Sequence, residues 1–410
     1  MKITMLSIGT RGDVQPCVAL AKEMLKNSIN VEIATHLEYQ KLVEENGITF
    51  HELPGNPANK WDERKEGEKI NIWEELENYS RKWIEKSIKI CKDSNVILFT
   101  PLCFFGSSIA EKFKIPYLIV AFEPHISTKY FASPYTKAEL GFIPFYNKIT
   151  HFVGNQSFWL SMRKRINRLR NELLQLPPFP FWGPYKDQNK NSQYLCAYSR
   201  HLSKKPPDWG ENIFISGYWF LENDSLFRLS DELKEFLGND EKPILLDMGS
   251  FSHEKLQPKL KMIISEIKTL NQRLLIYPGK IDLEKYDFPS ETFFLESDIP
   301  HSAILDHVKL FITHGGVGAI HAAMKYGVPI VPISLFGAQF YWGRILYAEV
   351  LGAKPLTITK LKPNETLNSI KYVLNSSVVS NNSEIIKKKI QNENSCEIAV
   401  DRIKQIVENN

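Results

Sequence analysis

The stretch Phe311-Ile312-Thr313-His314-Gly315-Gly316-Val317-Gly318-Ala319 decides the fold of this chain. A short apolar run ends there in a histidine and a glycine-rich turn, and a helical stretch follows at once. A strand, a glycine turn and a helix in this order aim free backbone N–H groups at an anion. The local pattern fits a phosphate site and an ordinary glycine-capped turn equally well. We favour a nucleotide diphosphate because Gly327 to Pro332 has the composition of the next buried strand.

Apolar runs and amphipathic stretches alternate on both sides of this turn. In the first half, Ile3 to Ile8 and Val31 to Ala34 have the composition of buried strands, with a helical stretch between them. In the second half, Pro243 to Met248 and Lys309 to Thr313 repeat the pattern. Strands that alternate with helices are typical of a parallel sheet covered on both faces. The predicted fold class is therefore α/β, with two successive parallel-sheet domains.

The predicted domain boundary follows a proline cluster, Lys204 to Asp208. We predict an N-terminal domain over 1–211, a C-terminal domain over 212–378 and a helix over 379–410 that packs on the N-terminal domain. A length of 410 residues suits two domains that each bury a sizeable core.

Charge and cysteine content exclude several classes of protein. The 51 basic and 47 acidic residues nearly balance, which argues against a nucleic-acid partner. The five cysteines are scattered and odd in number, without metal-ligand spacing, so we expect no metal and a reducing compartment. The start of the chain lacks a signal-peptide layout, and no apolar stretch is long enough to span a bilayer. We expect a soluble, cytoplasmic chain.

The stretch from Ser127 to Phe181 breaks the alternation of strands and helices. It is rich in aromatic residues and prolines, and irregular segments of this length are often binding loops. It contains a basic helical piece, Arg163 to Arg170. We favour a solvated helix face for this piece, and weak peripheral contact with a membrane surface is the alternative.

Four stretches in this order resemble a known family. They are Gly9 to Pro16, Pro207 to Leu221, Gly249-Ser250 and Ile299 to Gln339. Together they make the chain similar to the nucleotide-sugar-dependent GT-B glycosyltransferases that include sterol glucosyltransferases and bacterial antibiotic (macrolide, glycopeptide) glycosyltransferases. The resemblance implies two Rossmann-like domains that face a cleft, with a C-terminal helix that crosses back.

The implied reaction is an inverting transfer of a hexose from a UDP- or TDP-linked sugar to a hydroxyl group of a hydrophobic acceptor. UDP-glucose or a related nucleotide sugar is then a co-substrate, and the resemblance implies neither a cofactor nor a metal. The implied partners are this nucleotide sugar and the acceptor, with the protein a monomer or a homodimer.

Asp13 is the general base by this resemblance. A carboxylate at the carboxyl end of a strand lies where ligands bind in such sheets. Its alternative role is the N-cap of the helix that begins near Val14. His125 is a second candidate base, although an ordinary loop histidine is the favoured interpretation.

The resemblance also assigns residues to the donor nucleotide sugar. They are Thr10, Gly12, Gly249, Ser250, Ile299, His301, His314, Gly316, Val317, Gly318, Ala319, Gln339 and Trp342. Turn chemistry alone explains Thr10 and Ser250 equally well. The chain departs from the family at Ala319, where a hydroxyl is usual, and at Ala338, where an aspartate usually binds the sugar. These departures leave the identity of the sugar open.

Aromatic residues of the first domain are the candidate acceptor pocket. They are Trp73, Phe104, Phe105, Phe122, Phe142 and Phe145, with His125 beside them. Core packing accounts for about half of such residues. The aromatic density favours an apolar acceptor, such as a sterol, a polyketide or another lipid alcohol.

Two other classes of protein remain open at this point. The departures at Ala319 and Ala338 also suit a catalytically silent homologue that binds a nucleotide or a partner protein. A nucleotide-sugar epimerase on the same two-domain plan is the less favoured alternative, because it needs several acid and base groups around the sugar.

Overall fold

The structure is a computed structural model that describes residues 1–56, 72–136, 141–185, 190–222, 228–249, 256–279, 283–296, 299–335 and 337–408, without the side chains of 72–76. Ser250 and the side chain of Trp73 lie outside the described residues. The chain forms two compact units. Unit 1 comprises 1–200, 204–221 and 394–410, and unit 2 comprises 201–203 and 222–393.

Unit 1 is built on one parallel sheet. Its strands are β1 (Lys2–Leu6), β2 (Asn30–Thr35), β3 (Thr49–Glu52), β4 (Val96–Phe99), β5 (Tyr117–Ala121), β6 (Gln193–Cys196) and β7 (Ile213–Ile215). Their order is β3-β2-β1-β4-β5-β6-β7, and every adjacent pair is parallel. The central strands are apolar along their length because helices cover both faces. All strands end at one edge, which therefore gathers the turns after β1 and β5.

The helices of unit 1 begin with α1, which follows β1. They are α1 (Arg11–Lys26), α2 (Gln40–Glu44), α3 (Ile72–Ile90), α4 (Gly106–Phe113) and α5 (Pro144–Leu174). Helix α5 corrects the predicted irregular stretch, because the helix extends over 31 residues and well beyond the predicted helical piece Arg163 to Arg170. In its first half the apolar positions face outward and polar ones are buried, so the usual amphipathic signal is missing there.

Unit 2 repeats the plan with a second parallel sheet. Its strands are β8 (Ile244–Asp247), β9 (Leu274–Ile276), β10 (Thr292–Phe294), β11 (Leu310–Thr313), β12 (Ile330–Ser334) and β13 (Leu356–Thr357), in the order β10-β9-β8-β11-β12-β13. Its helices are α6 (Asp231–Leu237), α7 (Gln257–Lys268), α8 (Val317–Tyr326), α9 (Gln339–Ala348), α10 (Glu365–Asn375) and α11 (Ser377–Gln391). The two sheets confirm the predicted α/β class.

The limits of the units differ from the predicted domain limits. Strand β7 pairs with β6, so the first sheet continues past the predicted boundary at residue 212. The predicted tail helix is two helices. Helix α11 packs on α8 in unit 2, whereas α12 (Ser395–Glu408) packs on α1 in unit 1. The fully buried side chains of Val400 and Ile403 hold α12 there.

No helix within the described ranges is both long and apolar enough to cross a membrane.

Candidate active site

Asp13 lies in the first turn of α1, and its carboxylate folds back over the preceding turn. Its Oδ2 atom accepts hydrogen bonds from the Thr10 N–H at 2.8 Å and the Thr10 hydroxyl at 3.0 Å. Thr10 is therefore the N-cap, and helix α1 begins at Arg11 rather than near Val14. The alternative role of Asp13 as N-cap is wrong for this reason. Its Oδ1 atom makes no hydrogen bond with the described residues and is free to take a proton.

The backbone around Asp13 fits only glycine at position 9. Gly9 has a φ of +137°, and a Cβ atom built there would lie 2.3 Å from Asp13 Oδ2. The Gly9 N–H donates to His36 Nε2 at 3.3 Å, and Asn56 Nδ2 donates to the Gly9 carbonyl at 3.0 Å. Burial lowers the pKa of His36, so its ring is neutral at neutral pH and suits this acceptor role. Hydrogen bonds with His36, Asn56 and Asp13 thus fix the turn at Gly9 and Thr10.

Burial also raises the pKa of Asp13, while the two hydrogen bonds from Thr10 lower it. The net rise makes the carboxylate a stronger proton acceptor whenever it is ionised.

Glu123 is a second carboxyl group near Asp13, and the sequence patterns did not single it out. It follows β5 at the same edge of the sheet. Burial and the charge of Asp13 raise its pKa to about 8, so Glu123 is mostly protonated at neutral pH. Burial and the charge of Asp13 also raise the pKa of the buried phenol of Tyr218. Only the fold reveals this pairing of two buried carboxyl groups.

His125 follows Glu123 and is a weak base. Its Nδ1 atom donates to the Glu123 carbonyl at 3.1 Å, and its ring packs edge-on against Tyr194. Burial lowers the pKa of His125 to about 4. Asp13 is therefore the better placed of the two candidate bases.

The candidate acceptor residues fall into three groups. Phe105 and Phe122 are core residues, packed against Trp83 and Trp219 respectively. Phe104 is half-buried and lies edge-on to Phe105 and Phe158. Phe142 and Phe145 are exposed at the start of α5. The structure therefore does not gather the predicted aromatic set into one pocket wall.

In unit 2, the turn at His314 lies against the turn that follows β8. A Cβ atom on Gly249 would lie 2.9 Å from His314 Cε1, and one on Gly316 would lie 2.6 Å from His314 Nε2. The two glycines therefore leave a slot that the imidazole ring fills. Burial lowers the pKa of His314 despite the opposing charge of Asp247, so the ring is neutral at neutral pH.

Helix α8 begins beside this ring with an uncapped first turn. Gly316 is its N-cap residue and offers no side chain, and the first helical hydrogen bond runs from the Ile320 N–H to the Gly316 carbonyl at 3.0 Å. The N–H groups of Val317, Gly318 and Ala319 make no hydrogen bond with the described residues. Three free amides, a helix N-terminus and a neutral histidine form a site suited to a diphosphate.

Asp247 orients the neighbouring residues of this site. It accepts hydrogen bonds from His301 Nε2 at 2.9 Å and from the Gly249 N–H at 2.7 Å. Burial raises the pKa of Asp247, but the hydrogen bond and charge of His301 lower it more, so the side chain is a carboxylate. The His301 side chain thus supports the turn. The Tyr277 hydroxyl donates a hydrogen bond to the Ile299 carbonyl at 2.7 Å.

Two residues that were predicted to contact the sugar instead make contacts within the protein. Trp342 is 1% exposed and lies edge-on to His321 and Tyr341, so it is a core residue rather than a wall of the sugar site. Gln339 accepts the Leu335 N–H through Oε1 at 2.8 Å and so shapes its own turn. Ala338 precedes Gln339 and carries no polar group toward a ligand.

Within the part of the chain that the structure describes, no three His, Cys, Asp or Glu residues come together as metal ligands.

Two family models match the two halves of the chain. Residues 3–132 match the glycosyltransferase family 28 N-terminal domain, and residues 215–391 match the UDP-glucoronosyl and UDP-glucosyl transferase family. Among curated proteins, sterol 3-beta-glucosyltransferase UGT80A2 of Arabidopsis thaliana is 27% identical over 94% of this chain and 63% of its own length. A sterol 3-beta-glucosyltransferase of Vanderwaltozyma polyspora is 29% identical over 97% of this chain and 34% of its own length.

Solved structures of glycosyltransferases share the fold over nearly the whole chain. SnogD from Streptomyces nogalater has a TM-score of 0.71 at 15% identity and covers 99% of this chain and 100% of its own. VinC, solved in complex with DTDP, has a TM-score of 0.67 at 16% identity over 100% of both chains. The chain is thus a GT-B protein with two Rossmann-like domains. Its two halves are similar to these two glycosyltransferase families, and the curated proteins to which it is similar include sterol 3-beta-glucosyltransferases.

Proposed function

We propose that this chain is an inverting glycosyltransferase that moves a hexose from a UDP- or TDP-linked sugar to a hydroxyl group of a hydrophobic acceptor. The single observation that carries the proposal is the site at the start of α8, where a neutral His314 lies beside three free amides. The site suits the diphosphate of a nucleotide sugar, because the amides stabilise the charge that develops as this group leaves.

The other reacting group comes from unit 1. Asp13 takes the proton of the acceptor hydroxyl through its free Oδ1 atom. The hydroxyl oxygen then forms a bond to the anomeric carbon, and the bond from that carbon to the diphosphate breaks with its electron pair on the diphosphate. Because attack and departure take place on opposite faces of the sugar, the configuration inverts. The raised pKa of Asp13 assists the proton transfer.

The curated relatives support a sterol as the first acceptor to test and UDP-glucose as the first donor. The solved complex of VinC with DTDP supports TDP sugars as a second set of donors to test. The test is mass spectrometry of products from a panel of these donors with sterol and polyketide alcohols. The Asp13→Asn variant keeps an oxygen that can accept the hydrogen bonds from Thr10 but loses the general base, so we expect kcat to fall by about 10²–10⁴. The matched control is Asp93→Asn at an exposed position of the same unit, with unchanged activity expected.

One observation favours a second candidate, a catalytically silent homologue that binds nucleotides. Ala319 leaves the first turn of α8 without a hydroxyl, and Ala338 leaves the start of α9 without a carboxylate. Calorimetric titration with UDP-glucose and TDP-glucose separates the two candidates. Binding without product across the panel would support the silent homologue, and full activity of the Asp13→Asn variant would contradict Asp13 as the base.

A further inference from the structure

The first half of helix α5 carries polar side chains on the inside and apolar side chains on the outside, whereas the second half buries apolar side chains such as Trp159 and Met162. In its first half, Asn147, Thr150 and His151 are buried, at 1%, 7% and 1% exposed. Most helices that pack on a domain show the opposite arrangement. Both the buried polar face and the exposed apolar face of this half of the helix therefore require an explanation.

Hydrogen bonds explain the inner face. Asn147 Nδ2 donates to the carbonyls of Lys129 and Gly141, at 2.9 and 2.8 Å. The two ring nitrogens of His151 lie 3.3 and 3.2 Å from the carbonyls of His125 and Phe131. The polar side chains thus hold a loop whose backbone groups need partners. Along this half of the helix, hydrogen bonds to the loop take the place of apolar packing.

The outer face carries a stripe of exposed apolar side chains. Its members on α5 are Phe145, Ile149, Phe152, Val153 and Leu160, and the first three are spaced by four and three residues. Phe142, Phe181 and Trp182 extend it, since Trp182 lies 6.2 Å from Phe152 and 5.0 Å from Phe181 between ring centroids. Phe142 and Phe145 are 79% and 74% exposed. Monomeric proteins rarely expose so many large apolar side chains together.

Basic residues border this stripe, and acidic residues are missing from the whole segment. Between residues 142 and 170 the sequence has six lysines and arginines and neither aspartate nor glutamate. Arg165 and Arg168 pair with Glu77, and Arg170 pairs with Glu111. Lys148, Arg163 and Lys164 lie beside the stripe, and Arg163 lies 4.3 Å above the ring of Phe181. A stripe of aromatic and aliphatic side chains with a basic border matches the surface of an anionic bilayer.

We propose that the outer face of α5, with Phe142, Phe181 and Trp182, docks unit 1 on the surface of an anionic lipid bilayer. The aromatic side chains enter the interface between headgroups and acyl chains, and the lysines and arginines contact lipid phosphates. The helix lies in the plane of the interface without crossing the membrane. This inference does not depend on the proposed reaction, because it rests on the composition and exposure of one surface.

Vesicle flotation tests the proposal with the whole chain. We expect the protein to float with vesicles of phosphatidylcholine and phosphatidylserine, and less with phosphatidylcholine alone or in high salt. The paired variant Phe145→Ser and Phe152→Ser should bind at least about tenfold more weakly to both vesicles. The paired variant Lys148→Glu and Lys164→Glu should lose mainly the preference for anionic vesicles. All four positions are exposed, so the variants should fold, which circular dichroism checks.

The matched control replaces exposed apolar residues of unit 2, Val378→Ser and Ile385→Ser, and should leave flotation unchanged. The proposal fails if the wild-type protein does not float, or if the Phe145 and Phe152 variant floats as the wild type does. Sedimentation equilibrium adds the remaining outcome. A wild-type dimer that the same variant converts to a monomer, with no flotation, would make this face a contact between two copies and overturn the lipid proposal.

Discussion

The slot for His314 depends on two residues without side chains. In a Gly316→Ala variant the new Cβ atom would lie 2.6 Å from His314 Nε2, so the ring must leave its position beside the free amides of α8. We expect affinity for UDP-glucose to fall at least about tenfold, measured by calorimetry. Gly316 has a φ of −65°, so the loss would reflect crowding rather than backbone strain. Gly154→Ala is the control, since a Cβ there meets nothing closer than 3.8 Å. Equal affinity in both variants would exclude His314 from the donor site.

The raised pKa of Glu123 predicts how stability depends on pH. In the unfolded chain this carboxyl group ionises near 4.5, whereas in the fold it ionises near 8. Between these values the folded state binds more protons, so stability falls as pH rises and stays low above pH 8. A Glu123→Gln variant cannot ionise, and we expect it to be more stable than the wild type at pH 8 by about 1–3 kcal/mol.

Urea unfolding of both proteins from pH 4.5 to pH 9 provides the measurement for Glu123. The two curves should differ least at the acid end, where the wild-type carboxyl group is also neutral. Asp13, His125, Tyr135 and Tyr218 are the neighbouring groups that can titrate, and all remain in the variant. A constant difference at every pH would show that the substitution acts through packing alone.

The glycine and histidine turns of the site are predictable from the sequence, whereas the residues that surround them are less so. The glycines at positions 249, 315 and 316 and the histidine at 314 stand in a recognisable pattern, and the fold brings them together. Glu123 has no such pattern, because its pKa depends on burial that only the folded chain creates. Trp342 was misplaced for the same reason, since a tryptophan near a loop gives no sign of whether it faces a ligand or the core.

At the scale of elements, α5 is tied to α4 by one buried guanidinium group. Arg170 donates two hydrogen bonds to Glu111, at 2.7 and 2.6 Å, and one to Ser108 at 2.7 Å. We expect Arg170→Lys to destabilise the protein by about 1–3 kcal/mol in urea unfolding, because an ammonium group cannot reproduce this planar fork. Arg168→Lys on the same helix should cost less than about 1 kcal/mol, since its pair with Glu77 is exposed. Equal losses would mean that the buried fork contributes no more than a surface ion pair.

The first half of helix α5 is the part of the fold that sequence patterns do not predict, whereas the predicted helical piece Arg163 to Arg170 lies in its second half. Strands such as β1 and β11 were predictable because their apolar runs face a core. Apolar periodicity indicates a helix only where apolar residues point inward, and α5 departs from this over its first half. Its buried asparagine, threonine and histidine side chains have a loop-like composition, because nothing local reveals that they bind a neighbouring backbone.

At the scale of the molecule, the chain contributes its last helix to the unit with which it began. We expect Ile403→Ala in α12 to weaken unit 1 by about 2–4 kcal/mol, because that side chain is fully buried. Hydrogen exchange should show lost protection in β1 and β2 and little change in β8 and β11. Ile390→Ala in α11 should give the reverse pattern, since that residue is buried in unit 2. The same loss in both sheets for both variants would mean that the units unfold together.

The repeated pattern of strands and helices predicts two units, but it does not predict which unit each part of the C-terminal segment packs on. Residues 379–410 have one continuous helical character in sequence, and the break near Asn394 depends on which surface each half can cover.

The return of α12 also has a consequence for synthesis on the ribosome. Unit 2 has all of its residues once position 393 has emerged, whereas unit 1 still lacks a helix that covers α1. The half of the protein that is translated first is therefore the half that is completed last. A nascent chain must keep the apolar side of α1 from aggregating until α12 has emerged.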